Sequence, residues 1–188
     1  MSFFPMYIDM QNLKVLLVGA GAIGTEKLEK LVDFTKNITV LALKVEEDAQ
    51  KLIDEHVLIL EQRAYKIGDI KGFDIVIVAT DTILLQESIY QEARGSRTLI
   101  NSVDNMEYCD FIFPSYVKKG DLSVAFSTGG ASPAFAKYIR QYFEKMLPDS
   151  VADFLKKMKH LRTTIPKGKE RMRHFDTIVK AYFEKEFK

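Results

Sequence analysis

Apolar runs of strand length alternate with amphipathic stretches over the first hundred residues. KVLLVGAGAIG (14–24) is an apolar run that ends in glycines and leads into TEKLEKLVDF, and Ile23, Leu28, Leu31 and Val32 read as one helical face. The pattern predicts strand, tight turn, helix. ITVLAL (38–43) is β-branched and apolar throughout, and VEEDAQKLIDE (45–55) reads as a short polar helix. HVLILEQ predicts a third strand, FDIVIVAT a fourth, TILLQESIYQEARG a helix closed by Gly95, and RTLINSV a fifth strand. Strands that are apolar throughout, rather than alternating, are covered on both faces. The expected class is therefore α/β, with a parallel, doubly wound sheet.

After Asp110 the pattern changes. FIFPSYVKKGDLSVAFST reads as two short strands around a Lys-Gly turn, and SPAFAKYIRQYFEKML as a helix with Ser132 at its N-cap and Pro133 at its first position. Helical signals then flank Pro166-Lys167-Gly168, with Phe175, Ile178, Val179, Tyr182 and Phe183 at spacings of three and four. A second module is expected to begin near residue 113, without repeats or low complexity.

Composition narrows the classes. At 188 residues and 47% hydrophobic content, the chain can bury a real core, which excludes a disordered tail or a mini-protein. The single cysteine, Cys109, permits no internal disulfide and no Cys-rich zinc site, so a cytoplasmic setting is expected. No apolar run approaches the roughly 20 residues that span a bilayer, and the N-terminus lacks the features of a signal peptide. No membrane association is expected. The net charge of +1 hides a local +7 from residue 156 to 188 and −6 before it. That basic stretch lacks interleaved stacking aromatics on a known RNA or DNA fold, so a polycarboxylate suits it better than nucleic acid. His56, His160 and His174 are far apart, and no metal site is assigned.

The chemistry begins at the glycines. Gly19-Ala20-Gly21-Ala22-Ile23-Gly24 follows a strand and opens a helix, the context in which GxGxxG binds a dinucleotide. Gly19 makes the tight turn, Gly21 lets backbone approach a pyrophosphate, and Gly24 lets helix pack on strand. About 20 residues on, where a ribose-binding acid is expected, stand Leu43 and Lys44, with Glu46 and Glu47 just beyond. Lys44 suits a 2′-phosphate and either glutamate suits free hydroxyls, so NAD and NADP both stay open on the residues. VATD (78–81) brings Thr80 to the carboxyl edge of the sheet, with Asp81 read equally as a helix cap or a cofactor contact. Asp104, in LINSVDNMEYCDFIFP (99–114), also follows a strand ending at that edge, where a turn role and a catalytic role compete. STGGASPAFA (127–136) joins a glycine-rich loop to a capped helix N-terminus, which suits an anion or serves as a connector.

Together, FFPMYIDMQNLKVLLVGAGAIG, VIVATD and the stretch from LINSVD through FIFP to STGGASPAFAKYIR resemble the precorrin-2 dehydrogenase family, the N-terminal module of siroheme synthases. The resemblance covers roughly residues 3–147. It implies a Rossmann-type NAD-binding domain (1–113), a dimerisation segment (114–147), a helical cap (148–188) and a homodimer. It also implies NAD-dependent oxidation of precorrin-2 to sirohydrochlorin, with some members inserting Fe²⁺ as well. Asp104 is then the acid/base candidate, and Gly19, Gly21, Ala22, Ile23, Gly24, Leu43, Lys44 and Thr80 are the cofactor contacts. Ser127, Thr128, Gly129, Gly130 and Ser132 fall to the eight-carboxylate substrate, and Asp110 to a structural role at the domain junction. Within 188 residues there is no room for the methyltransferase domain of fused siroheme synthases, so methylation is expected from another protein. A rival reading from a different class is a nucleotide-sensing domain that binds NAD without chemistry.

Overall fold

A computed structural model describes residues 3–187. The chain divides into two compact units, one reaching to Ile112 and the other starting at Phe113.

The first unit is built on five strands, β1 (Val15–Ala20), β2 (Ile38–Val45), β3 (Ile59–Glu61), β4 (Ile75–Val78) and β5 (Leu99–Ser102). They form one parallel sheet in the order β3-β2-β1-β4-β5. Helices α1 (Ala22–Val32), α2 (Glu47–Glu55) and α3 (Ile83–Ala93) make three of the connections. Between β3 and β4 the chain crosses without a helix. There Arg63 pairs with Asp69 at 2.6 and 3.0 Å, while Glu92 accepts from the Tyr65 hydroxyl and the Gly68 N–H. This is the doubly wound α/β architecture expected of the apolar runs.

Burial explains why those runs are unbroken. Val15, Leu16, Leu17 and Val18 are all at most 4% exposed, because helices cover both faces of β1. Leu16, Val18, Leu41, Val76, Val78, Ile89 and Ile100 form one core. Each such side chain contributes about 1.5–3 kcal/mol when buried. Stability therefore resides in the middle of the sheet, leaving its carboxyl edge for other uses.

Three expectations are corrected. HVLILEQ yields only a three-residue strand at the sheet edge, where Ile59 is exposed. Asp81 does not cap α3; the N-cap is Thr82, which makes no side-chain capping bond. Ile23 does not share the face of Leu28 and Val32. At about 100° per residue it lies roughly 140° around from Leu28, and it is exposed on the first turn of α1.

β2 also runs two residues past the expected stretch. Its register with β1 shifts between Val18 paired with Leu41 and Ala20 paired with Val45, two extra residues on the β2 side. The bulge turns Leu43 and Lys44 outward and returns the chain so that the Glu46 N–H donates to the Ala20 carbonyl at 3.0 Å.

In the second unit, β6 (Ser115–Lys119) and β7 (Leu122–Phe126) form an antiparallel hairpin. Its turn uses Gly120 at φ +60°, where a Cβ would lie 2.9 Å from the Ala152 Cβ. Helices α4 (Pro133–Met146), α5 (Val151–Thr164) and α6 (Lys169–Glu186) follow. Ser132 caps α4 by accepting from the Phe135 N–H at 3.2 Å, with Pro133 in the first turn. The start of α5 is tied to the end of α6 by Phe154 stacked on Tyr182 at 3.8 Å and by Ser150 bonded to Tyr182 and Glu186. Phe175 and Met158 are buried, whereas Phe183 is half exposed and stacks on Phe187.

Candidate functional site

The three glycines of the turn do different work. Gly19 sits at φ +100°, and a Cβ there would meet the Ala79 carbonyl oxygen at 2.1 Å. A Cβ on Gly24 would meet the Gly19 carbonyl oxygen at 2.2 Å. These two positions let β1, β4 and α1 approach. At Gly21, by contrast, the nearest atom to a Cβ would be a Glu46 carboxylate oxygen at 3.8 Å, so the space beside it is open. Gly21 is also the N-cap of α1 and provides no side-chain cap, which leaves the positive end of the helix to a ligand.

A pocket of about 250 Å³ opens beside this turn, walled by Ile23, Thr80, Asp81, Gln86, Val103 and Asp104 among others. The structure thus brings Ile23, Thr80 and Asp104 together from α1, the end of β4 and the end of β5. Leu43 and Lys44 do not line it; they are exposed at the β2 bulge.

Asp104 is held in an uncommon backbone conformation. Its φ is +60°, one of two non-glycine residues with positive φ among those described. Aspartate tolerates this region better than most residues. The ladder between β4 and β5 runs to the Val103 N–H, which donates to the Val78 carbonyl at 3.0 Å. The turn after it therefore starts from a fixed point. Lys27, one helical turn beyond Ile23, is mostly buried and lies within electrostatic reach of Asp104. Burial pushes its ammonium below the ordinary lysine value, and Lys30 adds to this, while Glu26 and Asp104 oppose it.

Gln86 was not foreseen as a site residue, although a signal exists. With Ile89 and Ala93 it forms the buried face of α3, and a glutamine there is out of pattern. Its side-chain NH₂ donates to the Thr80 carbonyl at 2.7 Å and to the Val103 carbonyl at 3.4 Å. It thereby ties together the two strand ends that carry Thr80 and Asp104.

Asp110 is a clamp. Both its oxygens accept from Arg94, at 2.9 and 2.7 Å, and one also accepts from the Ile100 N–H at 2.9 Å. Burial pushes its carboxyl up, but the bonds from Arg94 and Ile100 together with the arginine charge outweigh this and hold it below the ordinary value. A depressed folded value means that the stabilisation is complete above the unfolded value of about 3.9 and is lost as pH falls through the folded one. Asp110→Asn should cost about 1–3 kcal/mol at pH 7. Thermal melts should show the gap to wild type closing as pH falls below about 4; a gap unchanged in acid would assign the clamp to packing instead. Cys109 is buried beside it, bonded to Ser102 and Asn105, and burial raises its thiol.

In the second unit the 127–132 loop is bonded to itself. Gly129 N–H donates to the Ser127 hydroxyl oxygen, Ser132 N–H to that of Thr128, and Ala131 N–H to the Thr128 carbonyl, with Gly129 and Gly130 at positive φ. The expected row of free backbone donors is therefore partly used internally. The Ser127 and Thr128 hydroxyls accept in these bonds, the Ser132 hydroxyl accepts from the Phe135 N–H, and all three keep their protons to donate. The basic stretch is partly committed too: Arg171 donates to the Arg162 and Ile165 carbonyls, and Lys159 pairs with Asp121. Lys156, Lys157, Lys167, Lys169 and Arg173 stay exposed. Among the described residues no cluster of His, Cys, Asp and Glu is placed to hold a metal ion, and no helix is long and apolar enough to cross a membrane.

Two known families match successive segments of the chain. The family described as "Putative NAD(P)-binding" matches residues 6–115, and the family described as "Sirohaem biosynthesis protein central" matches residues 119–146. A siroheme synthase of Pseudoalteromonas atlantica is 36% identical over 81% of this chain and 33% of its own length. One of Mannheimia succiniciproducens is 30% identical over 98% of this chain and 40% of its own. The chain thus spans about a third to two fifths of these relatives. A solved structure of SirC, precorrin-2 dehydrogenase, shares the fold with a TM-score of 0.79 and 22% identity, over 92% of this chain and 86% of that one. The match that takes in the glycine turn, the pocket and Asp104, followed in order by the sirohaem biosynthesis segment, places this chain in the NAD(P)-binding family.

Proposed function

We infer that this chain oxidises precorrin-2 to sirohydrochlorin with NAD as the acceptor, Asp104 taking the proton. The observation that carries this reading is the carboxylate of a strained turn in the wall of the pocket that Ile23 and Thr80 share. Bound NAD supplies a two-electron acceptor for hydride. The substrate loses that hydride from one carbon and a proton from another, so a base must stand at the reacting face; the pocket wall offers two carboxylates, Asp81 and Asp104, and this reading assigns the role to Asp104, held by its turn. Gly21 and the first turn of α1 receive the pyrophosphate.

Glu46 favours NAD over NADP. The β2 bulge returns it to within 3.8 Å of a Cβ position on Gly21, where it would accept from ribose hydroxyls and repel a 2′-phosphate. Lys44, turned outward, does not reverse this. Ser127, Thr128, Ser132 and the exposed lysines of α5 and α6 offer donors and positive charge to the substrate carboxylates. Phe135, Tyr138, Tyr142 and Met146 form an exposed apolar stripe along α4, which in this reading faces a second copy in a homodimer. Ferrous iron, where inserted, is a substrate, with Asp104 and the macrocycle nitrogens as its donors.

Purified protein mixed with precorrin-2 and NAD should produce sirohydrochlorin and NADH in equal amounts, and more slowly with NADP. A second arm adds Fe²⁺ and follows conversion of sirohydrochlorin to siroheme. NAD binding without turnover would return the chain to the class of sensing domains.

A further inference from the structure

Gln86 is 4% exposed, and its side chain makes an assignment that the fold enforces. Both of its polar neighbours, the Thr80 and Val103 carbonyls, are acceptors, so only the NH₂ end can face them. Flipping the amide would set oxygen against oxygen. The other end, Oε1, is consequently a fixed acceptor, and it is buried without any hydrogen-bond partner among the described residues. Buried polar atoms in folded proteins are nearly always paired, by protein, water or ligand. Gln86 is part of the pocket wall, so a ligand in the pocket is a candidate for the missing donor.

We propose that Gln86 is a specificity-determining residue whose Oε1 accepts an N–H from a primary carboxamide on the bound ligand, the carboxamide of a nicotinamide ring. The proposal rests on the dinucleotide reading above and adds to it a way of telling an amide from its isosteres. Ligands that present only acceptors at this point leave Oε1 unpaired and are rejected, because a buried acceptor without a donor is costly. The same side chain holds the ends of β4 and β5, so the group that selects the ring also fixes the Thr80 and Val103 carbonyls on either side of it. Asp104 follows Val103 directly. Selection and placement of the carboxylate would thus share one side chain.

The test compares NAD with its 3-acetylpyridine analogue, which is neutral and keeps the carbonyl but has a methyl in place of the NH₂. Calorimetric titration of the wild type should show NAD bound roughly tenfold or more tightly than the analogue. In Gln86→Met the ratio should fall to near one, whatever happens to the absolute affinities. A role limited to holding the strand ends would weaken both ligands alike and leave the ratio unchanged, which overturns the proposal. Equal affinities in the wild type, as when an ordered water satisfies Oε1, also overturn it. Should Gln86→Met fail to fold, the carboxamide ¹³C resonance of Gln86 in the wild type decides: it should move with NAD and stay with the analogue, and a shift common to both removes the assignment. Absence of binding by either nucleotide would instead sink the dinucleotide reading on which this rests.

Discussion

Asp104→Asn is expected to lower kcat by roughly 10²–10⁴-fold while NAD affinity and the melting temperature stay close to wild type. The choice of asparagine follows from the backbone. At φ +60° the residue pays a conformational cost that asparagine tolerates almost as well as aspartate, so the turn after β5 should keep its shape. Alanine at the same φ would add about 1 kcal/mol of strain and confuse lost chemistry with lost structure. Asparagine removes the negative charge and with it the ability to accept the substrate proton, while keeping the side chain's size. Single-turnover NADH formation from precorrin-2, with calorimetric NAD titration and a melt on the same sample, separates the cases. Wild-type turnover in Asp104→Asn would make Asp104 a turn residue and nothing more. A parallel loss of rate and NAD affinity would mean that it shapes the pocket.

Much of the architecture could be read before any coordinates, and the reasons are local. The apolar runs at 15–18, 38–42 and 75–78 are buried on both faces because the sheet is covered on both, so a continuous run is its necessary signature. Ser132 and Pro133 specify a helix start through bonds made within four residues. The glycine turn is legible for the same reason, since Gly19 and Gly24 answer to atoms of the turn and the next strand. Asp104 and Thr80 were marked by lying just past strands at one edge, and both line the pocket.

What escaped the sequence depends on pairs of distant elements. The β2 bulge exists only in its register with β1, so nothing in ITVLALKV reveals that Leu43 and Lys44 turn out while Glu46 comes back to Gly21. Ile23 is apolar and so reads as part of an apolar face, yet its angle around α1 leaves it over the pocket. HVLILEQ has strand composition, but an edge position lets only three of its residues pair. Gln86 acquires its role from carbonyls six and seventeen residues away, at the ends of two strands. The conformation of Asp104 likewise follows from the turn after a ladder fixed at Val103, and composition carries no trace of it.

The same dependence on backbone approach makes Gly19→Ala a severely damaging single methyl. Two costs add. Alanine at φ +100° is strained wherever it occurs, and here its Cβ would lie 2.1 Å from the Ala79 carbonyl oxygen and 2.9 Å from its carbon. Those are backbone atoms immediately after β4, which is locked to β1 from Ile75 to Val78, so no side chain can swing aside. Either β4 separates from β1 at its carboxyl end or the turn opens, and both break the pocket wall at Thr80. A loss of roughly 3–5 kcal/mol is expected, enough to lower the melting temperature by about 10 °C or more. Gly21→Ala provides the contrast within the same motif. Its φ is −79°, and the nearest atom to the new methyl is a carboxylate oxygen at 3.8 Å, so the variant should fold like wild type. It should nevertheless lose NAD affinity, because the methyl occupies the space through which backbone meets the pyrophosphate. Melts and NAD titrations of the two variants should therefore give opposite patterns. A Gly19→Ala protein that melts like wild type would show that β4 yields at Ala79, and a Gly21→Ala protein that binds NAD unchanged would place the pyrophosphate elsewhere.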